Sequence, residues 1–290
     1  MSVPDIVVPP SPSSVVTRFA PSPTGALHLG HAFAALFAAD RAAEAGGRFL
    51  LRFEDIDRER CRPEFEQGIV EDLRWLGLSW PEPVRRQSEH FEDYRVALAR
   101  LAADGLLYPC FCTRRDIQDE IARAGAAPHG PDGPLYPGIC RTLSRAESLA
   151  RQEDGVPHAL RLDGRAAMAR AGALSFHDRG QGWVEAQPAL FGDVVLARKD
   201  VPASYHLAVT LDDHAQGVTL VTRGDDLFAA THLHRLLQAL LGLNVPDYHH
   251  HRLVTDPSGR KFSKRDRDVT LKSLRGQGTS PQALRGALGL

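Results

Sequence analysis

Apolar positions in the first third of the chain switch between two periods. Val15, Val16 and Thr17 form a short β-branched run, and Pro21, Pro23 and Gly25 then interrupt regular structure. Leu29, Phe33, Leu36 and Phe37 follow at i, i+4, i+7 and i+8, the spacing of one helix face. Arg48–Phe53 is an apolar run that reads as a buried strand, and it ends in the acidic Glu54-Asp-Ile-Asp57. Pro63 opens a second helix with Phe65, Ile69, Leu73 and Leu76 on one face and Gly77 at its end. Ser88 is the expected N-cap of a third, with Tyr94, Leu98 and Leu101 buried and Gly105 closing it. Strands alternating with helices predict a parallel sheet.

The pattern changes near residue 108. Tyr-Pro-Cys-Phe-Cys at 108–112 opens an arginine-rich segment with a Gly/Pro loop at 124–138 and short β-like runs at 159–162 and 193–197. Residues 108–195 therefore read as an insertion between two halves of a catalytic domain, 15–107 and 196–255. The α/β pattern resumes with strands expected at 205–212 and 218–223, a turn at Gly224-Asp-Asp226, and a helix burying Leu233, Leu236, Leu237, Leu240 and Leu241 before Gly242. Residues 256–290 carry a turn, Asp256-Pro-Ser-Gly259, a basic loop and a short helix capped by Ser280-Pro281. Residues 1–14, rich in Pro and Ser, read as a disordered tail.

Composition narrows the class. The 290 residues are 43% hydrophobic and 24% charged, ordinary for a globular protein, and the net charge of −1 gives no global signal for nucleic acid. The N-terminus has neither a basic start nor an apolar core, and no stretch is apolar enough for a bilayer. A cytoplasmic, reducing location is expected, and four cysteines do not make a disulfide scaffold.

Two basic constellations carry candidate chemistry. His28 and His31 share one face at the start of the first helix, where unpaired N–H groups and the helix dipole favour phosphate. Alone, they are also what a turn with two surface histidines looks like. Lys261 and Lys264 flank Ser263 after a glycine turn; they suit a polyphosphate, or a solvated basic loop. Together, the His-x-Gly-His-like turn and the Lys-x-Ser-Lys loop resemble the two signatures of class I aminoacyl-tRNA synthetases. The longer stretches RFAPSPTGALHLGHA, LLRFEDID, Tyr205 through Arg223-Gly-Asp, and DPSGRKFSKR resemble the glutamyl branch, over about residues 16–270.

The resemblance implies a Rossmann-type parallel sheet of α/β class with a zinc-bearing insertion and a short helical C-terminus. It implies ATP with Mg2+ as co-substrate, phosphate contacts from His28 and His31, and Lys261 and Lys264 against the triphosphate. Phe262 and Arg265 depart from the usual second signature, which keeps its Lys-Ser-Lys core. Glutamate contacts carry over to Arg18, Phe19, Ala20, Pro21, Ser22, Glu54, Tyr205 and Arg223, with Glu54 against the ammonium.

Cys110, Cys112 and Cys140 suggest a structural zinc site, for which simple chemistry offers His129, Asp116 or Asp132 as fourth ligand. The resemblance points instead to Tyr136. Cys61 reads as an unliganded thiol. His177, His206, His214 and His249 to His251 read as structural or surface residues, and Arg114, Arg115, Arg141 and Arg145 as a solvated face or RNA phosphate contacts.

The chain ends at Leu290, 25 residues after Arg265, too few for an anticodon-binding domain. That expectation turns the resemblance toward the short paralogues that activate glutamate without tRNA and attach it to queuosine at the wobble position, so that the anticodon loop of tRNA(Asp) meets the catalytic domain of a monomer. Two other readings stand beside it. One is a minimal glutamyl synthetase charging the tRNA 3′ end; the other is a non-catalytic, zinc-bearing RNA-binding module.

Overall fold

The computed structural model describes residues 14–123, 129–255 and 270–290. The elements in chain order are β1 (Val16–Phe19), α1 (Leu29–Glu44), β2 (Arg48–Phe53), α2 (Pro63–Trp75), β3 (Arg85–Arg86), α3 (Phe91–Ala103), β4 (Leu107–Cys110), α4 (Arg114–Arg123), β5 (His129–Gly130) and β6 (Gly133–Pro134). After these come α5 (Arg145–Glu153), β7 (Ala159–Leu162), α6 (Gly164–Ala171), β8 (Ser175–Asp178), β9 (Gly182–Glu185) and β10 (Val195–Ala197). The remainder is α7 (Tyr205–Ala215), β11 (Leu220–Gly224), α8 (Ala230–Leu241), β12 (Asp247–His251), α9 (Leu271–Gly276) and α10 (Pro281–Leu288).

β1 is buried along its whole length, as an apolar, β-branched run at the centre of a parallel sheet should be. β2 runs parallel beside it, and β3 beside β2. The other half orders β11, β12, β8 and β9, parallel except for the β8–β9 hairpin. The halves meet where the Thr219 N–H donates to the Val16 carbonyl at 3.0 Å and the Val16 N–H to Thr219 Oγ1 at 2.9 Å. The C-terminal ends of β1 and β11 thus lie side by side. In an open α/β sheet such a junction is where ligands bind. The tight return from α1 to β2 needs Gly47: a Cβ there would sit 1.9 Å from the Val15 carbonyl oxygen.

Two apolar clusters pack the layers. Phe33 and Leu36 of α1, Leu51 and Phe53 of β2, Leu73 of α2, and Leu284 and Leu288 of α10 form one. Leu98 and Leu101 of α3, Leu207 of α7, and Leu233 and Leu237 of α8 join Leu162 and Leu196 of the antiparallel sheet β10-β7-β4 in the other. Each fully buried side chain of this size contributes about 1.5–3 kcal/mol.

The expected α/β fold is present, with three local differences. Residues 205–212, expected as a strand, form the first two turns of α7. Ser204 caps that helix by accepting from the Leu207 N–H, and its faces are so widely buried that no polar stripe marks the helical period. Ser88 does not cap α3, whose N-cap is His90; its hydroxyl and N–H both bind the Asp55 carboxylate, at 2.6 and 2.9 Å. Residues 175–185, inside the expected insertion, supply β8 and β9 to the main sheet. Residues 1–13 of the expected 1–14 tail, part of the 124–138 loop, and the basic loop with Lys261, Phe262, Lys264 and Arg265 lie outside the described residues.

Candidate functional site

The turn after β1 positions two histidines through their own capping bonds. His28 Nδ1 accepts from the Gly30 N–H at 3.1 Å, and His31 Nδ1 accepts from the His28 N–H at 3.2 Å. A neutral imidazole has one N–H, so both carry it on Nε2 and are donors there. Their ring centroids are 3.8 Å apart. Thr270 bridges to His28, and the Leu271 N–H donates to the Leu27 carbonyl. Thr270, five residues beyond Arg265 in the sequence, is thereby pinned to the histidine turn.

A cleft of about 610 Å³ opens at the strand ends, lined by Ser22, Glu54, Gln87, Tyr205 and His206 together with Asp57, Arg60, Arg114 and Arg198. Arg18 and Arg223 are buried beside it at the ends of the two central strands. Phe19 belongs to the core, and the Pro21 carbonyl accepts from the Glu54 N–H at 3.1 Å. Of the sequence-predicted residues, Arg18, Glu54, Tyr205 and Arg223 lie close enough for the three charged groups to act on the Tyr205 phenol, and Ser22 lines the same cleft as Glu54 and Tyr205.

Acidic residues that the sequence reading passed over hold this end of the cleft. Asp213 accepts from Arg18 Nε and Nη2 (2.9 and 3.3 Å) and from Arg52 Nη1 (2.8 Å). Arg18 Nη1 donates to the Thr222 carbonyl at 3.0 Å. Asp212 accepts from Arg85, Gln87 and Tyr94. The arginine partners of both lie more than a hundred residues away in the chain, so no local pattern marked the pair. Burial drives the Asp213 carboxyl up, but Arg18 and Arg52 overcome it and the group ends below its usual range. Glu54 goes the other way: burial outweighs Arg52 and Arg18, and its pKa is raised. Such a carboxylate gains from an arriving cation. Burial also raises the Tyr205 phenol, which stays protonated.

In the insertion, the thiols of Cys110, Cys112 and Cys140 lie within 4.8 Å of one another. The Tyr136 oxygen is 3.4 Å from Cys110 Sγ and from Cys112 Sγ, and Cys112 Sγ is 3.4 Å from Cys140 Sγ. A tetrahedral zinc with bonds of about 2.3 Å needs sulfur–sulfur edges of about 3.8 Å, so this donor set fits with small adjustment. The Arg161 guanidinium lies 3.8 Å over the Tyr136 ring and offsets thiolate charge. Burial raises the Cys110 thiol, yet Tyr136 and Arg161 bring it below its ordinary value; Cys112 is pushed up to about 12, chiefly by burial. His129, Asp116 and Asp132 are not members of the cluster.

A parallel sheet whose first crossover helix is capped by paired histidines, with a charged cleft at the strand junction, defines a class I synthetase catalytic domain. Residues 14–290 match the sequence model of "tRNA synthetases class I (E and Q), catalytic domain", and the chain belongs to that family of ligases. It is 51% identical over 282 residues to the Glutamyl-Q tRNA(Asp) synthetase of Rhodobacter capsulatus, spanning 95% of this chain and 100% of that one. Its identity to the Symbiobacterium thermophilum protein of the same name is 44% over 281 residues, 93% and 84% of the two chains. The solved glutamate-tRNA synthetase of Elizabethkingia anophelis superposes with a TM-score of 0.74 at 31% identity, covering 88% of this chain and 53% of that one. Among the described residues no helix is long and apolar enough to cross a membrane.

Proposed function

We propose that the cleft activates L-glutamate with ATP and Mg2+ in the absence of tRNA, then transfers it to the queuosine base at the wobble position of tRNA(Asp). The convergence of Arg18, Glu54, Tyr205 and Arg223 at one strand junction carries this reading. Arg18 and Arg52 share Asp213, and Arg52 also pairs with Glu54, so among the described residues the third buried cation, Arg223, is the one with no carboxylate bonded to it, while the half-buried Glu54 has a raised proton affinity. A zwitterion with two carboxylates and one ammonium complements that set, and glutamate has those charges.

In the first step the glutamate α-carboxylate attacks the α-phosphorus of ATP, and the bond to the pyrophosphate oxygen breaks. Arg18, Glu54 and Arg223 hold the amino acid; the Nε2–H groups of His28 and His31 donate to phosphate oxygens, where negative charge grows. Lys261 and Lys264 are assigned the triphosphate from the sequence. In the second step a hydroxyl of the queuosine cyclopentenediol attacks the acyl carbon and AMP leaves. The names of relatives 51% and 44% identical to this chain support that acceptor. Zinc held by Cys110, Cys112, Tyr136 and Cys140 ties together the β4 end and the loop around 136–140; it has no part in either step. The enzyme acts as a monomer on the anticodon loop.

The test is labelled-glutamate transfer to tRNA from a host that lacks queuosine, against tRNA from a normal host. Label is expected only on the normal tRNA, within the anticodon loop. Equal labelling of both, lost when the 3′-terminal ribose is blocked, would instead establish 3′-end charging.

A further inference from the structure

Arg223 sits at the centre of a hydrogen-bonded chain that the activation chemistry does not use. Its Nη1 is 3.2 Å from His234 Nδ1, and its Nε donates to His250 Nε2 at 3.1 Å. Arginine only donates, so both facing nitrogens are lone-pair acceptors. His234 must then carry its proton on Nε2, which is 3.1 Å from His206 Nδ1. That nitrogen accepts in turn, so the His206 proton is on Nε2, 3.2 Å from Asp132 Oδ2. On the other side the His250 proton is on Nδ1, 2.6 Å from Asp178 Oδ2. Every link has one donor and one acceptor, and every tautomer is set by its neighbour.

Burial agrees with neutral imidazoles. His234 is held far below its ordinary pKa by burial, with Arg223 beside it, and His250 is lowered to about 4 by burial and Arg223 against the pull of Asp178. A second cation against Arg223 is disfavoured from both sides. The arginine is therefore fixed in place by neutral groups, and its charge is left for a ligand. One chain also leaves the main sheet: Asp132 lies between β5 and β6 in the insertion, and its side chain is 66% exposed.

We infer that His234, His206 and Asp132 form a positioning relay that sets the Arg223 guanidinium for the amino acid and ties the amino-acid site to the insertion, with His250 and Asp178 bracing the opposite side. The inference rests on the reading of Arg223 as a glutamate contact. Of the relay residues only His206 lines the cleft, and none is assigned a contact with the reacting atoms.

The relay is tested by glutamate-dependent ATP–pyrophosphate exchange on full-length variants. Asp132 is exposed, so Asp132→Ala leaves the fold intact. It is expected to raise the KM for glutamate about fivefold, the scale of one lost hydrogen bond, with kcat and the KM for ATP unchanged. His206→Phe should raise the same KM, and the double variant should be no worse than His206→Phe alone, because both cut one chain. An unchanged glutamate KM in Asp132→Ala, or additive effects in the double variant, would overturn the relay. Arg223→Lys separates the two claims. If it raises the glutamate KM while Asp132→Ala does not, only the relay falls; if it has no effect, the relay and the Arg223 assignment fall together.

Discussion

Arg18 and Arg223 occupy equivalent places at the ends of adjacent central strands, yet they are held by opposite means. Arg18 shares Asp213 with Arg52, so its charge is partly met before any ligand arrives. Arg223 is held by His234, His250 and Thr231, all uncharged. The first corner is an ion-pair network whose members need one another to be buried at all. The second is a neutral cradle that fixes geometry without offsetting charge. The difference separates what the fold requires from what the ligand can use: breaking the first corner should cost stability, and breaking the second should cost affinity.

The largest expected effect is at the first corner. Asp213→Ala leaves Arg18 and Arg52 buried without their shared partner, at a cost of about 3–5 kcal/mol of stability. Urea denaturation checks this, and a loss under 1 kcal/mol would erase the distinction between the corners. Next is Arg223→Ala, which should lower kcat/KM for glutamate about a hundredfold, near 3 kcal/mol, with little change in the urea midpoint.

A pH effect follows from His250, a base whose pKa falls from 6.5 to about 4 on folding. Below pH 6.5 the unfolded chain takes up a proton that the folded chain refuses, so stability is lost as pH falls through this window. The loss reaches about 3 kcal/mol at pH 4. Burial sets the shift, Arg223 and His251 add to it, and Asp178 opposes it. His250→Asn should flatten the slope between pH 4 and 6.5 relative to the parent; an unchanged slope would show that the cradle is not neutral. The smallest effect on activation is expected from Cys140→Ala. It should abolish binding of one zinc per chain, measured by metal analysis, and change the glutamate-dependent exchange rate by less than about threefold, since the zinc ligands do not enter the chemistry.

The supports of both corners were illegible in the sequence, whereas other parts of the molecule could be read from it. The strand at 48–53 could be read because it is a continuous apolar run, and α8 because its leucines keep helical spacing. The thiol cluster could be read because its ligand spacing is local, with Tyr136 supplied by resemblance. α7 was misread because a helix buried among Leu207, Ala208, Val209 and Thr210 shows no polar face. Asp213 sits on that helix, and its partners are 161 and 195 residues away, so the ion-pair corner had no local signature. The histidine chain was likewise invisible: His206, His234 and His250 meet only after α7, α8 and β12 pack together, and along the chain His206 and His250 read as structural or surface residues while His234 carries no pattern at all.

Both corners serve one claim, that the strand junction binds glutamate and joins it to ATP. Glutamate-dependent ATP–pyrophosphate exchange in the complete absence of tRNA tests it most directly. The account predicts exchange with L-glutamate and none with L-glutamine, whose neutral amide cannot use the undiminished charge of Arg223. Equal exchange with both amino acids, or none with glutamate until tRNA is added, would contradict it.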